Sequence, residues 1–216
     1  MGFLSNFLDL LFPPKCVFCG KVLDTSTMCV CKKCTHALPY TKGTDVRQKG
    51  RFFDACVSPL RYEGAVRESI LRFKFKGAGT YAGCYGTLMA DCIRENLSGQ
   101  YNLITWVPLS VSRTRSRGYD QAMLLALSVA LELDDVAVET LVKTTHVPAQ
   151  STIQDKEARR ANVSGVYQIT DPELIDGKRV LLIDDIITTG ATLSESARVL
   201  LQNGAESVVC ATLSRV

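Results

Sequence analysis

Residues 180–192 read VLLIDDIITTGAT, and this stretch decides the fold. Four apolar residues form a strand that can be buried on both faces. Asp184 and Asp185 stand at its C-terminal end, and a Thr/Gly loop then runs into a helix beginning near Ala191. In parallel α/β sheets, ligands sit at the C-terminal ends of the strands. Thr188, Thr189 and Thr192 supply hydroxyl donors, and Gly190 lets backbone N–H groups come close to a phosphate. Two acids before such a loop would repel a bare phosphate. They suit a ligand that also offers hydroxyl groups or a metal ion, and a phosphorylated sugar does both. No Gly-Lys-Ser/Thr follows, so this is not a Walker A loop.

Reading outward, the rest of the chain supplies the partners this strand needs. LITWVPL (103–109) and SVVCATL (207–213) are further buried strands, and DACVSPLRYEG from Asp54 is β-rich. Helices are expected over 65–75, 79–97 despite Gly83 and Gly86, 118–133 and 191–204, the last stopped by Gly204. Strands alternating with helices predict an α/β fold: a parallel twisted sheet flanked by helices. After Pro108 a loop carries Arg113, Arg115 and Arg117, a plausible pyrophosphate cradle. Lys74 and Lys76 extend the same basic character. Residues 143–165 form a long polar segment read as a lid, with Arg159 and Arg160 able to reach an anion. His146 within it reads as idle.

Upstream, CVFCGKVLDTSTMCVCKKC holds Cys16-x2-Cys19 and Cys31-x2-Cys34 with eleven residues between the pairs. Two such turns make a tetrahedral thiolate site, and four protein ligands make it structural Zn2+. Cys29-x-Cys31 is an alternative for part of the second pair, and His36 a weaker candidate ligand. A redox dithiol or an iron–sulfur cluster fits this context less well. Cys56, Cys84, Cys92 and Cys210 read as buried thiols. The chain therefore divides into residues 1–51, an N-terminal helix and four-cysteine zinc module with a polar linker over 37–51, and residues 52–216, the α/β domain.

Composition sets the outer bounds. The chain has 216 residues, 46% hydrophobic and 22% charged, which excludes a disordered or low-complexity protein. The net charge of +3 suits anionic ligands without implying nucleic acid. The segment MGFLSNFLDLLFPP lacks a basic start and is too short and broken to span a bilayer, so a cytoplasmic protein without a transmembrane segment is expected.

The 180–192 segment closely resembles the phosphoribosyl pyrophosphate (PRPP) signature of the type I phosphoribosyltransferases. Joined to a four-cysteine knuckle, it resembles the ComF family of competence-associated proteins. LRFKFKG (71–77), VPLSVSRTRSRGYDQA (107–122) and Gln150 with Arg159 and Asn162 resemble that family's other segments. Asp120 departs from the common Asn, and Lys143 stands where Arg is expected. The resemblance implies that Thr188, Thr189, Gly190, Ala191 and Thr192 hold the 5-phosphate of PRPP and that Asp184 and Asp185 contact the ribose diol. It implies Mg2+ with the PRPP, Arg113, Arg117 and Arg159 on the pyrophosphate, and transfer of ribosyl 5-phosphate to an acceptor that no residue identifies. It also implies a link to the DNA-uptake machinery. A non-catalytic protein binding PRPP, a nucleotide or single-stranded DNA is the alternative. Residues 47–76, together with Lys15, Lys21, Lys32 and Lys33 of the knuckle, favour DNA by charge, the stretch holding eight basic residues against three acids; Phe52, Phe53, Tyr62, Phe73 and Phe75 are candidate stacking surfaces, but most of them read as core residues.

Overall fold

The computed structural model describes residues 13–25, 28–144 and 166–216. The longest strands are β7 (Arg179–Ile187) and β8 (Ser207–Arg215), which pair in parallel along their whole length. Around them the main sheet runs β1–β2–β8–β7–β4, with β1 (Arg47–Gln48), β2 (Ala55–Val57) and β4 (Leu103–Trp106); β3 (Leu60–Arg61) pairs with the far end of β8. Among the described strands of this sheet only β1 is antiparallel. A separate antiparallel pair joins β5 (Leu141–Lys143) to β6 (Tyr167–Ile169).

The continuous apolar run of β7 is explained by burial on both faces. Alternate side chains point to opposite sides. Leu181 and Ile183 enter one core, Val180 and Leu182 the other. The first core is roofed by α2 (Gly64–Phe75), α3 (Ala82–Leu97) and α5 (Gln121–Glu132), through Ile70, Phe73, Met89, Ile93, Leu125 and Val129. The second is covered by α6 (Ala191–Gln202), through Leu193, Ala197 and Leu200.

The four-cysteine module joins the first core. Cys16, Val17, Phe18 and Leu23 are buried there, and Phe18 meets Tyr85 of α3 with ring centroids 6.0 Å apart. Arg72 of α2 donates to the Val17 and Phe18 carbonyls at 2.9 and 2.7 Å. Helix α1 (Lys32–Ala37) carries Cys34 and follows directly from Cys31.

Several expectations are corrected. Cys84 is not a free thiol: it is disulfide-bonded to Cys29, the Cα atoms being 5.8 Å apart, within the ordinary reach of such a bond. The segment 37–51 is not simply a linker. It holds a 3-10 turn (Gly43–Val46) and strand β1, whose ladder with β2 makes it the sheet's edge. The strand expected over 103–109 ends at Trp106. Its ladder closes with Val107 N–H to the Ile183 carbonyl, and Pro108 has no N–H to continue it. The strand read from the VLLID run (180–184) continues three residues further, to Ile187, because β8 still faces it at Ile187↔Arg215. The arginine loop is a helix, α4 (Val111–Arg117), closed by Gly118 at φ +85°.

Gly83 and Gly86 share α3 but do different things. A Cβ on Gly86 would come within 2.5 Å of Ser128 Cβ and 2.9 Å of the Ser128 backbone carbon, so only Gly allows α3 and α5 to approach this closely. At Gly83 nothing lies within 4 Å. Gly86→Ala should therefore destabilise by about 1–3 kcal/mol through overpacking. Gly83→Ala should stabilise by up to about 1 kcal/mol through helix propensity. Urea unfolding midpoints of the two variants check both signs.

Candidate functional site

The C-terminal ends of β7 and β4, the first turn of α6 and helix α4 enclose a cleft of ≈360 Å3. Strand alternation splits the two acids to opposite sides. Asp185 turns towards α2, where Lys74 Nζ lies 2.9 Å from its Oδ2, both side chains largely buried. Asp184 turns towards the field of Tyr167 and Lys143. Burial, reinforced by the negative charge of Asp185, pushes the Asp184 carboxyl far above the carboxylate range, to about 8.

Thr188 and Thr192 line the cleft beside the acids. Gly190 is the N-cap of α6 in the left-handed region, φ +71°, which a side chain would strain. Thr189 Oγ1 accepts from the Ala191 N–H at 3.4 Å. Thr189, Gly190 and Ala191 form the turn rather than the wall, so their contribution is backbone N–H groups at the positive end of the helix.

Helix α4 separates the three arginines. Arg113 and Arg117 are one turn apart and line the cleft; Arg115 lines a different cavity. Alternate spacing would have aligned them in an extended loop, but on a helix only i and i+4 share a face. Arg117 lies over the Phe75 ring, 4.9 Å from its centroid, and donates to Gln121 Oε1 at 2.7 Å. Asp120 has a structural task. One carboxylate oxygen accepts from the Leu109 N–H at 2.6 Å and the other from the Met123 N–H at 3.1 Å, capping α5 and fastening the turn before α4. Burial holds its carboxyl above the usual value despite these bonds.

The cleft also contains groups the sequence did not single out as site residues. Lys143 Nζ is 3.4 Å from the Tyr167 hydroxyl, and burial, then the nearby Arg113 charge, lower its pKa. Tyr167 is raised to about 12, by burial first and then by Asp184. β5 and β6 bring these two together across a long polar segment, a pairing that local pattern does not reveal. Tyr62 and Gln121 line the cleft as well. Lys76 caps the end of α2, exposed and outside the cleft. Arg159, Arg160, His146, Gln150 and Asn162 lie outside the described residues.

In the N-terminal module the Sγ atoms of Cys16, Cys19, Cys31 and Cys34 all lie within 4.8 Å of one another. A tetrahedral site with Zn–S of about 2.3 Å needs sulfurs about 3.8 Å apart, so these four fit the metal; Cys19 and Cys31 are already 3.7 Å apart. Gly20, at φ +75°, turns the first knuckle, and its N–H donates to the Cys16 carbonyl. Burial alone would raise the Cys16 thiol, but N–H groups of Cys19, Cys31 and Phe18 bring it down to about 7. Cys29 is held in its disulfide, and His36 is exposed and stands outside the cluster.

The basic stretch 47–76 is mostly engaged internally. Arg47 donates to the Asn96 carbonyl and to Gln100, Arg61 pairs with Asp45, and Arg67 with Glu68; Arg72 and Lys74 are committed as above. Phe53 and Phe73 are core residues, so they offer no stacking surface. Among the described residues no helix is long and apolar enough to cross a membrane.

Comparison with known proteins follows this division. The phosphoribosyl transferase domain model matches residues 115–216, and the double zinc ribbon domain model residues 7–53. Competence protein ComFC of Bacillus subtilis (strain 168) is 27% identical over 205 residues, 93% of this chain and 77% of that one. Competence protein F of Haemophilus influenzae is 32% identical over 152 residues, 68% of this chain and 66% of that one. DNA utilization protein YhgH of Escherichia coli (strain K12) is 31% identical over 114 residues, 51% of this chain and 49% of that relative, so the match spans about half of its length.

Two predictions follow from the carboxylates. Asp120 uses both oxygens as acceptors, and Asn has one. Asp120→Ala should lose about 1–3 kcal/mol, a cap plus an unpaired N–H, with Asp120→Asn in between; denaturant titration ranks them. Asp184 has a folded pKa near 8, well above the roughly 3.9 of an unfolded Asp. Its proton is therefore held more tightly in the folded state, and stability falls as pH rises from about 4 to about 8. Asp184→Asn should flatten that fall, measured from pH 5 to 9 without added divalent cation.

Proposed function

This chain belongs to the ComF family, and from that premise we propose that its cleft binds PRPP with Mg2+ and transfers ribosyl 5-phosphate to an acceptor. The observation that carries this reading is one cleft with two chemistries. Asp184 and Asp185 stand beside the N-terminus of α6, while Arg113, Arg117 and Lys143 supply positive charge to the same space. A ligand that is both polyanionic and rich in hydroxyl groups uses all of them.

In this reading the α6 N-terminus, the backbone of Thr189, Gly190 and Ala191, and the hydroxyls of Thr188 and Thr192 hold the 5-phosphate. Asp184 and Asp185 hold the ribose diol. Arg113 and Arg117 stabilise negative charge that develops on the departing pyrophosphate, with Arg159 as a third cation. Two adjacent carboxylates, one already driven upward by burial and repulsion, are a donor set that suits a hard divalent cation. Mg2+ on these acids would neutralise leaving-group charge. Lys74 neutralises Asp185 and so keeps the pair from repelling the ligand.

The name of one relative, DNA utilization protein, favours a second reading, a role in handling DNA, and we take single-stranded DNA as its ligand. With five of the eight basic residues of 47–76 already paired, DNA contact would fall to Lys49, Arg51 and Lys76 together with Lys15, Lys21, Lys32 and Lys33 of the metal module.

Calorimetry with PRPP in the presence and absence of Mg2+ tests the first reading. Binding should require Mg2+, be abolished by Asp184→Ala/Asp185→Ala, and weaken about 10- to 100-fold in Arg113→Ala, the loss expected for a charge-assisted contact. No heat at millimolar PRPP with Mg2+ sinks it. A screen of nucleobases and amines for pyrophosphate release then identifies the acceptor. Oligonucleotide binding that weakens steeply with salt and persists in the double Asp variant would support the second.

A further inference from the structure

The bond between Cys29 and Cys84 joins the metal module to α3 across 55 positions of sequence. The remaining cysteines are otherwise placed: Cys16, Cys19, Cys31 and Cys34 form the metal cluster, and Cys56, Cys92 and Cys210 are buried free thiols. The two bonded sulfurs stand in unlike surroundings. Cys29 is half-buried, whereas Cys84 is only 7% exposed. Thiol–disulfide exchange needs access to the sulfur that is attacked. A small thiolate can therefore reach Cys29 and is kept from Cys84.

Cys84 is in turn the better leaving group. It is the third residue of α3, a helix of 16 residues, and the N-cap Tyr81 gives the first-turn N–H groups no side-chain acceptor. A thiolate at that point meets the positive end of the helix, which makes it less basic. Exchange is faster when the less basic thiolate departs. The module does not depend on this bond alone for its place. Phe18 packs on Tyr85, and Ser69 and Arg72 both donate to the Val17 carbonyl. The Val17 N–H donates to the Cys29 carbonyl at 3.0 Å, so the bond tightens a strand pair that is already docked. Opening it loosens the module without releasing it.

We propose that Cys29–Cys84 is a reversible thiol–disulfide site, opened by small-molecule thiols and closed by their disulfides, that sets how firmly the metal module is held on α3. In opening, a small thiolate attacks Cys29 Sγ. The S–S electron pair leaves on Cys84 Sγ, which then takes up a proton. A second small thiolate attacks the outer sulfur of the mixed disulfide and frees Cys29 as a thiol. Two small thiols become one disulfide, and the protein bond becomes two thiols. Closing is the reverse. This inference is independent of what the cleft binds.

The full chain, purified with Zn2+, is equilibrated in glutathione buffers from fully reduced to fully oxidised, alkylated, and mapped by mass spectrometry. The Cys29–Cys84 bond should pass from open to closed within the series, with the four cluster cysteines unmodified. In oxidised glutathione, Cys84→Ala should carry glutathione on Cys29, and Cys29→Ser at least about tenfold less on Cys84. Amide exchange over residues 16–23 should speed up at least about threefold when the native bond opens. It should not respond to reduction in Cys29→Ser. The zinc content of Cys29→Ser should equal that of the native chain. Circular dichroism checks folding, and Cys29→Ser, at the more exposed position, carries the exchange and zinc measurements by itself. A bond that stays closed in reduced glutathione, or one that never closes in oxidised glutathione, overturns the proposal. So does equal glutathione on the two cysteines, or amide exchange that ignores the bond. Loss of zinc from Cys29→Ser would make Cys29 a metal ligand and overturn it as well.

Discussion

Adjacent carboxylates at the end of a buried strand repel one another and resist losing water, and the surroundings of β7 answer that constraint. The strand pleat turns Asp184 and Asp185 to opposite sides of the sheet. Asp185 meets the Lys74 ammonium, and its charge is compensated inside the protein. Among the described residues Asp184 makes no ion pair of its own, and it is left with a strongly raised pKa. A buried pair such as Lys74–Asp185 adds little net stability, but losing one partner strands the other. Its effect here is to fix α2 against β7 and to give the two acids different characters.

Helix α2 also carries that constraint back to the metal module. Arg72 donates to the Val17 and Phe18 carbonyls, and Ser69 bonds both Val17 O and the Tyr85 hydroxyl. Two residues further along, Lys74 holds Asp185. The cysteine knuckle and the cleft are thus joined through one helix of twelve residues. The disulfide from Cys29 to Cys84 adds a second tie, to α3.

The central strands were legible because they are continuous apolar runs, and the knuckle because its two Cys-x2-Cys pairs have no simpler use. The acid pair and the α6 turn could be read together because one short segment holds strand end, loop and helix start. What stayed hidden depends on distant partners. Nothing local to Cys84 announces Cys29, and Tyr167 meets Lys143 only because β5 and β6 pair. The spacing of Arg113, Arg115 and Arg117 pointed to a common surface until the segment proved helical, which sent Arg115 elsewhere. The basic stretch 47–76 looked like a nucleic-acid surface in one dimension, yet most of its charges have intramolecular partners.

Helix α4 has no buried residue, and its position comes from its ends. Asp120 grips the Leu109 N–H on one side and the Met123 N–H on the other, and the Tyr119 hydroxyl donates to the Phe73 carbonyl. The stretch from Ser110 to Gly118 is therefore a cassette held in a buckle. Its residues can be exchanged without repacking the sheet or α5, so new anion preferences could evolve there by local substitution while the fold stays constant.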